Sequence, residues 1–371
     1  MNGVDISNIS IMNNPTKKIQ IFTHTFWKKD PRVLKHKKFF ENLGYQVEIA
    51  GLERSICFFR KFIYFILMLL RFHYSALIFK YRTVVDNVPD NFEPDYVFIN
   101  DWITLPLAFK YYKNKDTKII YDSHEYPKDG YINSIRMKLT VLPAAEIIER
   151  NYITKTDFVI TVCDSIAKRF NTEYGVNPLV IRNCPEIIDI PENPDATIIP
   201  IKLYHHGMYN KSRKLENFIE AVLHFPEKYI FYIRLSGNYS KLYKKYKNAQ
   251  NIIFLEPVKP EHLTRSAVNF DIGVSYIYPS NYNNYVSLSN KFFEYIMAGL
   301  PGLIGPSPEM AKIILKHDIG FISRAFSTSS LVDLLKEISS GLVEQKKSKV
   351  RKVRLNYSYA KEWSKLSDFI K

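Results

Sequence analysis

Lys291 and Glu294 stand one helical turn apart in the stretch Ser287–Pro301, SLSNKFFEYIMAGLP, and their types suggest a ligand with two kinds of polar group. Ser289 or Asn290 fits an N-cap, and Phe292, Phe293, Ile296 and Met297 recur at helical spacing. Gly299 supplies a left-handed C-cap and Pro301 ends the winding. Free N–H groups and the dipole at such a helix start favour an anion, and Lys291 adds a cation there. Glu294 lies further in, where a carboxylate can accept from both hydroxyls of a diol. A phosphate at the helix start and a diol at the carboxylate are what a sugar nucleotide offers. The bland alternative is a core helix whose Lys and Glu face water.

Other residues capable of chemistry fall at the ends of apolar runs. YDSHEYP sets Asp122, His124 and Glu125 just after one run, and NDW sets Asp101 after the run before it. Asp101 is placed to accept from a hydroxyl or to orient His124, and equally to cap the next helix. HTFWKKDPRV brings Arg32, with Lys28 and Lys29, within reach of a phosphate. Asp30 there reads first as an N-cap, with Pro31 at the first helical position. HHGMYNKSRKLE carries Arg213 and Lys214, readable either as a surface charge run or as an anion site. No second His stands at metal-ligand spacing from His124, and no Asp-x-Asp occurs.

The elements that must position these residues alternate. KKIQIFTH, QVEIAGL, DYVFIND, KIIYDSHE, DFVITV and PLVIRN read as strands with helices between them. CPEIIDIPENPDATIIP is proline-rich and unpatterned, and alternation restarts at IKLYHHG. The expected organisation is a lead-in at 1–17, a first domain at 18–190, a linker at 191–200, a second domain at 201–342 and a helical tail at 343–371. Each domain predicts a parallel sheet with helices on both faces, an α/β doubly wound architecture with ligands at the carboxyl ends of the strands.

SNKFFEYIMAGLP resembles the nucleotide-sugar helix of retaining GT-B glycosyltransferases, in the large group that builds bacterial surface polysaccharides, glycosyltransferase family 4. Many members carry two glutamates seven residues apart. Glu294 matches the second, which grips the ribose, while Val286 stands at the first. A subset has Pro-Asn-Lys before the helix, close to Ser289-Asn290-Lys291. The resemblance spans roughly 18–371 and implies two Rossmann-like domains facing across a cleft. It implies that His124 reaches the donor sugar and that Gly207 opens a glycine loop leading to the diphosphate-neutralising cations Arg213 and Lys214. Relatives often have Arg directly after that glycine, where Met208 stands here. FLEPVKP matches the base-binding turn, with backbone at Pro257 and Val258 meeting the nucleobase. HTFWKKDPRV resembles the family's Asp-x-Arg-Val opening, and the acceptor side would draw on Asp30, Arg32 and Glu125. Trp363 resembles an aromatic of the tail that returns to the first domain.

The activity so implied is transfer of a sugar from a UDP- or GDP-linked donor to a hydroxyl of a glycan or lipid-linked acceptor. Retention by front-side attack and no metal or other cofactor are expected. A sugar-nucleotide 2-epimerase of the same fold is the alternative, since Asp101, His124 and Glu125 also suit proton abstraction.

Composition bounds the partners. The chain of 371 residues carries 52 Lys+Arg against 37 Asp+Glu, a net charge of +15 that points to an acidic partner. Nucleic acid is disfavoured, because the cations are dispersed and no zinc, RRM or helix-turn-helix pattern appears. Three scattered cysteines suggest a reducing compartment, and the N-terminus lacks the pattern of a signal peptide. The basic and aromatic stretch 56–82 contains an apolar run, Phe62–Leu70, too short to span a bilayer. It reads either as a buried core helix or as a helix lying on an anionic membrane. The second reading places the protein in the cytoplasm, peripheral on the inner face of the cell membrane.

Overall fold

The computed structural model describes residues 17–89, 91–112, 116–129, 134–192 and 196–370. The lead-in expected at 1–17 lies, but for Lys17, outside the described residues, as do 193–195 of the expected linker. The chain divides into two compact units. One comprises Met1–Ser123 and Ile135–Val159, the other His124–Ser134 and Ile160–Lys371.

The first unit runs β1 (Lys18–Phe22), α1 (Pro31–Asn42), β2 (Gln46–Ala50), α2 (Phe58–Leu69), α3 (His73–Lys80), α4 (Arg82–Asp86), β3 (Tyr96–Asn100), α5 (Leu105–Tyr112), β4 (Lys118–Ser123), α6 (Ile135–Tyr152) and the start of β5 (Phe158–Thr161). The second continues with α7 (Asp164–Tyr174), β6 (Leu179–Val180), β7 (Ile201–Met208), α8 (Leu215–Leu223), β8 (Tyr229–Ser236), α9 (Ser240–Tyr246), β9 (Ile252–Leu255), α10 (Leu263–Ala267), β10 (Ile272–Val274), α11 (Tyr282–Tyr285), α12 (Asn290–Met297), β11 (Gly302–Ile304), α13 (Pro308–His317), β12 (Gly320–Ile322), α14 (Thr328–Glu337), α15 (Ser340–Val353) and α16 (Tyr359–Ser367).

The strands form two six-stranded sheets, ordered β2-β1-β3-β4-β5-β6 and β12-β11-β10-β7-β8-β9. The registered pairs run parallel, among them β1 with β2 and β3, and β7 with β8 and β10. Parallel strands are covered on both faces, which explains the continuous apolar runs: Tyr96–Asn100 is buried throughout. In each sheet the chain order reverses beside one strand, at β1/β3 and at β7/β10. Such switch points leave a crevice at the carboxyl ends of the strands.

Local rules hold where they are strong. Asp30 caps α1, accepting from the Arg32 and Val33 N–H groups, with Pro31 at the first position. Gly299 adopts φ +85° directly after the α12 cap residue Ala298. The tail is helical: Tyr359 N–H donates to the Pro185 carbonyl, Glu362 pairs with Arg182 at 3.1 Å, and Trp363 stacks on Tyr359. α16 therefore packs along the segment that leaves β6.

The stretch 56–82 forms two helices, α2 and α3, and ends at the first residue of α4. α2 buries only Met68 along its length. The buried-core reading holds for α3, which buries His73, Ala76 and Leu77, and is corrected for α2, where Phe58, Phe59, Phe62, Ile66 and Leu69 are exposed.

Candidate functional site

The second unit assembles its polar residues at the β7/β10 switch point. β7 ends in His205-His206-Gly207, and β10 leads into Ser275. α12 is fixed above them by a close fit. A Cβ at Gly273 would stand 2.1 Å from the Tyr295 ring, so glycine there lets Tyr295 lie against β10. The Tyr295 hydroxyl accepts from the His206 N–H at 3.2 Å. Ser289 caps α12 by backbone alone, and its hydroxyl instead shares a 2.7 Å hydrogen bond with Ser275. The helix start thus faces the strand ends, with Asn290 exposed and linked to Asn183 at 3.0 Å.

Lys291 does not face water. It is buried, and burial, followed by the neighbouring Arg213, pulls its ammonium down to about 7 against the opposing pull of Glu294. Gly207 lies beside it at φ +128°, a conformation that favours glycine, and a Cβ there would touch Lys291 Cε at 3.4 Å, an ordinary contact. Glu294, one turn on, lies over His206, with Oε2 3.2 Å from Nε2. That approach is not aligned as a hydrogen bond, and neither ring nitrogen of His206 finds a partner among the described residues. His206 is neutral, held down to about 3 by burial, Lys291 and Arg234. His205 is likewise driven well below its usual value by burial first and Lys291 next, while its Nδ1 lies 2.9 Å from the Val274 carbonyl oxygen.

Arg213 joins Lys291 from the turn before α8. Burial lowers its pKa, with Glu125 opposing, and its Nε lacks a hydrogen-bond partner among the described residues. Lys214, at a left-handed φ of 49°, rests its ammonium 3.7 Å over the Tyr278 ring. Pro257 and Val258 follow β9, and Arg234 holds this turn by donating to the Glu256 carbonyl while its Nε donates to Tyr204 at 3.1 Å.

The segment bearing His124 and Glu125 belongs to this second unit although it follows β4. Asn283 secures it through both backbone atoms of Tyr126: its Oδ1 accepts from the N–H at 2.8 Å and its Nδ2 donates to the carbonyl at 2.9 Å. The Arg169 guanidinium lies 4.1 Å from the Tyr126 ring and 4.4 Å from the Tyr282 ring, and Tyr126 donates to Glu173. His124, Glu125, Arg213, Lys214, Gly207 and the start of α12 are therefore parts of one unit.

The first unit pairs its own charges. His24 and Asp101, at the β1/β3 switch point, approach to 3.6 Å. Asp101 makes no side-chain cap, and its backbone sits at φ 67°, ψ 151°, a region suited to glycine. Arg32 donates to the buried Asp122 at 2.5 Å, with His36 Nε2 3.9 Å from the same carboxylate oxygen. Asp30 also accepts from the Thr25 hydroxyl at 2.7 Å.

Sequence reasoning did not single out His206, Ser275, Asn283, Arg169 or Arg234. Apart from the Arg169–Glu173 pair one turn along α7, the contacts that place them reach 14 to 157 positions along the chain, so no local pattern marks them. The HisHisGly at the end of β7 was the one legible hint. Among the described residues no cluster of three or more His, Cys, Asp or Glu is arranged to hold a metal ion.

No family model matches the chain, and no curated protein matches it. Solved structures do. Sucrose-phosphate synthase from Thermosynechococcus elongatus superposes with a TM-score of 0.66 at 10% identity, covering 95% of this chain and 98% of that one. WaaG, a glycosyltransferase involved in lipopolysaccharide biosynthesis, gives 0.65 at 14% identity over 95% and 99%. A trehalose-6-phosphate protein from E. coli, bound with UDP-2-fluoro glucose, gives 0.63 at 10% identity over 95% and 98%. The fold is that of the GT-B glycosyltransferases, two Rossmann-like α/β domains.

Proposed function

We propose that the protein is a glycosyltransferase that moves a sugar from a UDP- or GDP-linked donor to a hydroxyl of a glycan or lipid-linked acceptor. The observation that carries this reading is Lys291, a cation buried beside Arg213 at the start of α12. A buried cation left short of negative charge is costly, and a diphosphate would supply that charge. Ribose hydroxyls would then meet Glu294 over the neutral His206, and the base would meet the turn at Pro257–Val258. The GT-B fold of the solved structures supports the same reading, and one of them holds a UDP-sugar analogue.

In the proposed reaction the bond from the sugar's anomeric carbon to the donor phosphate breaks, and a bond from that carbon to the acceptor oxygen forms on the same face. The departing phosphate takes the acceptor's proton. Lys291, Arg213 and Lys214 stabilise the charge that develops on the leaving diphosphate, so the scheme calls for no metal. His124 would meet the sugar or the leaving phosphate, with Asp101 serving an acceptor hydroxyl. Arg32 and Glu125 would complete the acceptor side, and Asp30 would contribute through the helix it caps. The setting is the inner face of the cell membrane.

Thermal shift with UDP, GDP, CMP and their sugars tests the donor site. A rise in melting temperature with UDP or GDP that is lost in Lys291→Met supports it; no response to any nucleotide overturns it. Product analysis then separates transfer, which needs an acceptor, from epimerisation, which changes the donor without one.

A further inference from the structure

The first unit presents a surface that the donor site does not explain. Phe58, Phe62, Ile66 and Leu70 recur on successive turns of α2 and its end, and all are exposed; Phe58 is 83% exposed and Leu70 60%. Phe59 and Leu69 widen this stripe. An apolar stripe of this length is unusual on a surface facing only water. The neighbouring start of α6 extends it with Ile135, 79% exposed, and Leu139. Arg136 of α6 lies 4.6 Å over the ring of Phe65 of α2, which fixes the two helices side by side.

Charge around the stripe has one sign. From Arg54 to Val85 the sequence contains no Asp or Glu, while it contains Arg54, Arg60, Lys61, Arg71, Lys80 and Arg82. Lys80 sits 4.0 Å over the Tyr64 ring, and its ammonium is pushed down to about 8 by burial and then by Lys61 and Arg136. These cations crowd one another, and a layer of phosphates would relieve the crowding. A second copy docked on this face would bring the same cations together and worsen it. α2 has 12 residues, and among the described residues no helix is long and apolar enough to cross a membrane.

We infer that α2, with the start of α6, is a docking surface for an anionic phospholipid bilayer, lying in the plane of the headgroups. The phenylalanines and leucines enter the acyl boundary, while Arg60, Lys61, Arg71 and Arg136 meet lipid phosphates. The inference does not depend on which sugar is moved.

Vesicle co-sedimentation of the full chain tests it, with phosphatidylcholine alone and with phosphatidylcholine mixed with phosphatidylglycerol. Binding is expected only to the mixed vesicles, weakening as salt rises. Each charge removed in Arg60→Ala or Lys61→Ala should lower binding about fivefold. Phe58→Ser combined with Phe62→Ser should abolish it while leaving nucleotide binding unchanged. Phe62→Trp, read by its own fluorescence, should shift to the blue on binding and be quenched by brominated acyl chains. No binding to the mixed vesicles, equal binding to both kinds, or an unshifted Trp would overturn the inference. So would a lipid-free dimer that Phe62→Ser dissociates, since the occupant would then be a second copy.

Discussion

Each sheet gathers charged side chains at the carboxyl ends of its strands, but the two gatherings differ in balance. In the first unit Arg32 meets the buried carboxylate of Asp122, and His24 approaches Asp101. In the second unit burial lowers the pKa of both Lys291 and Arg213, Arg213 adds to the effect on Lys291, and Glu294 and Glu125 do not offset it. A charge that meets its counter-charge inside a fold is compensated in place; a cation left short of charge is an electrostatic cost that a ligand can remove. The difference supports placing the proposed anion site in the second unit, although both sheets share one topology class.

The sharpest way to break this comparison is to delete one cation from each side. Arg32→Met leaves Asp122 buried without its guanidinium and should destabilise the protein by about 3 kcal/mol, seen in denaturant unfolding. Lys291→Met should do the opposite in the free protein, leaving stability unchanged or raised, because it replaces a buried charge by an apolar chain of similar length. Nucleotide affinity should fall in the same variant by about 1.5–3 kcal/mol, the range for hydrogen bonds to charged groups, as titration calorimetry would record. Glu294→Ala should lose a similar amount. If Lys291→Met is as damaging to folding as Arg32→Met, the two sites are alike and the donor site is misplaced.

A smaller effect follows from the low pKa of Lys291. Its folded value, about 7, lies below the ordinary 10.5, so between these values the unfolded chain binds more protons than the native one. Stability contributed by this group therefore rises with pH across that window and is lowest below it, where the buried ammonium is fully charged. Ligand affinity should run the other way. A diphosphate needs the ammonium, so affinity should fall above pH 7 by at most about tenfold per pH unit, the limit for one linked proton. Binding of a sugar nucleotide, whose phosphate diesters do not titrate there, measures this directly. Lys291→Met should flatten the curve; a curve unchanged by that substitution would assign the pH dependence elsewhere.

What was legible in the sequence was what is local. The α12 pattern at Phe292, Phe293, Ile296 and Met297, the left-handed Gly299 and the capping by Asp30 depend on neighbours within a few residues. Strand alternation sufficed for two parallel sheets because buried strands are apolar on both faces. The burial of Lys291 was not legible, since Lys291 packs beside Gly207 of β7, a strand more than eighty positions earlier. Nor was the attachment of the His124 segment to the second unit, which rests on Asn283 and on Arg169 between two tyrosines. For 56–82 periodicity left two readings open, because an aromatic helix looks the same in a core and on a surface.

Asp101 offers the finest test of the comparison, since it is a strand-end residue of the first unit held at a positive φ, as Arg71 is after α2. Its φ of 67° with ψ of 151° lies where residues with a Cβ are strained by about 1–3 kcal/mol. The side chain does not recover this through capping. Its approach to His24 at 3.6 Å is long, and both side chains are a quarter exposed, so that pair contributes little. Asp101→Gly should therefore raise the melting temperature, or leave it unchanged, if the strain released exceeds the loss of the side chain's contacts, the His24 approach among them. If Asp101 serves the acceptor hydroxyl, the same variant should lose turnover while keeping nucleotide affinity, because the proposed donor residues Lys291, Arg213 and Glu294 belong to the other unit. A stabilised variant with full turnover would make Asp101 an ordinary turn residue and leave the first unit's strand ends purely structural. A destabilised one would show that the His24 pair outweighs the strain.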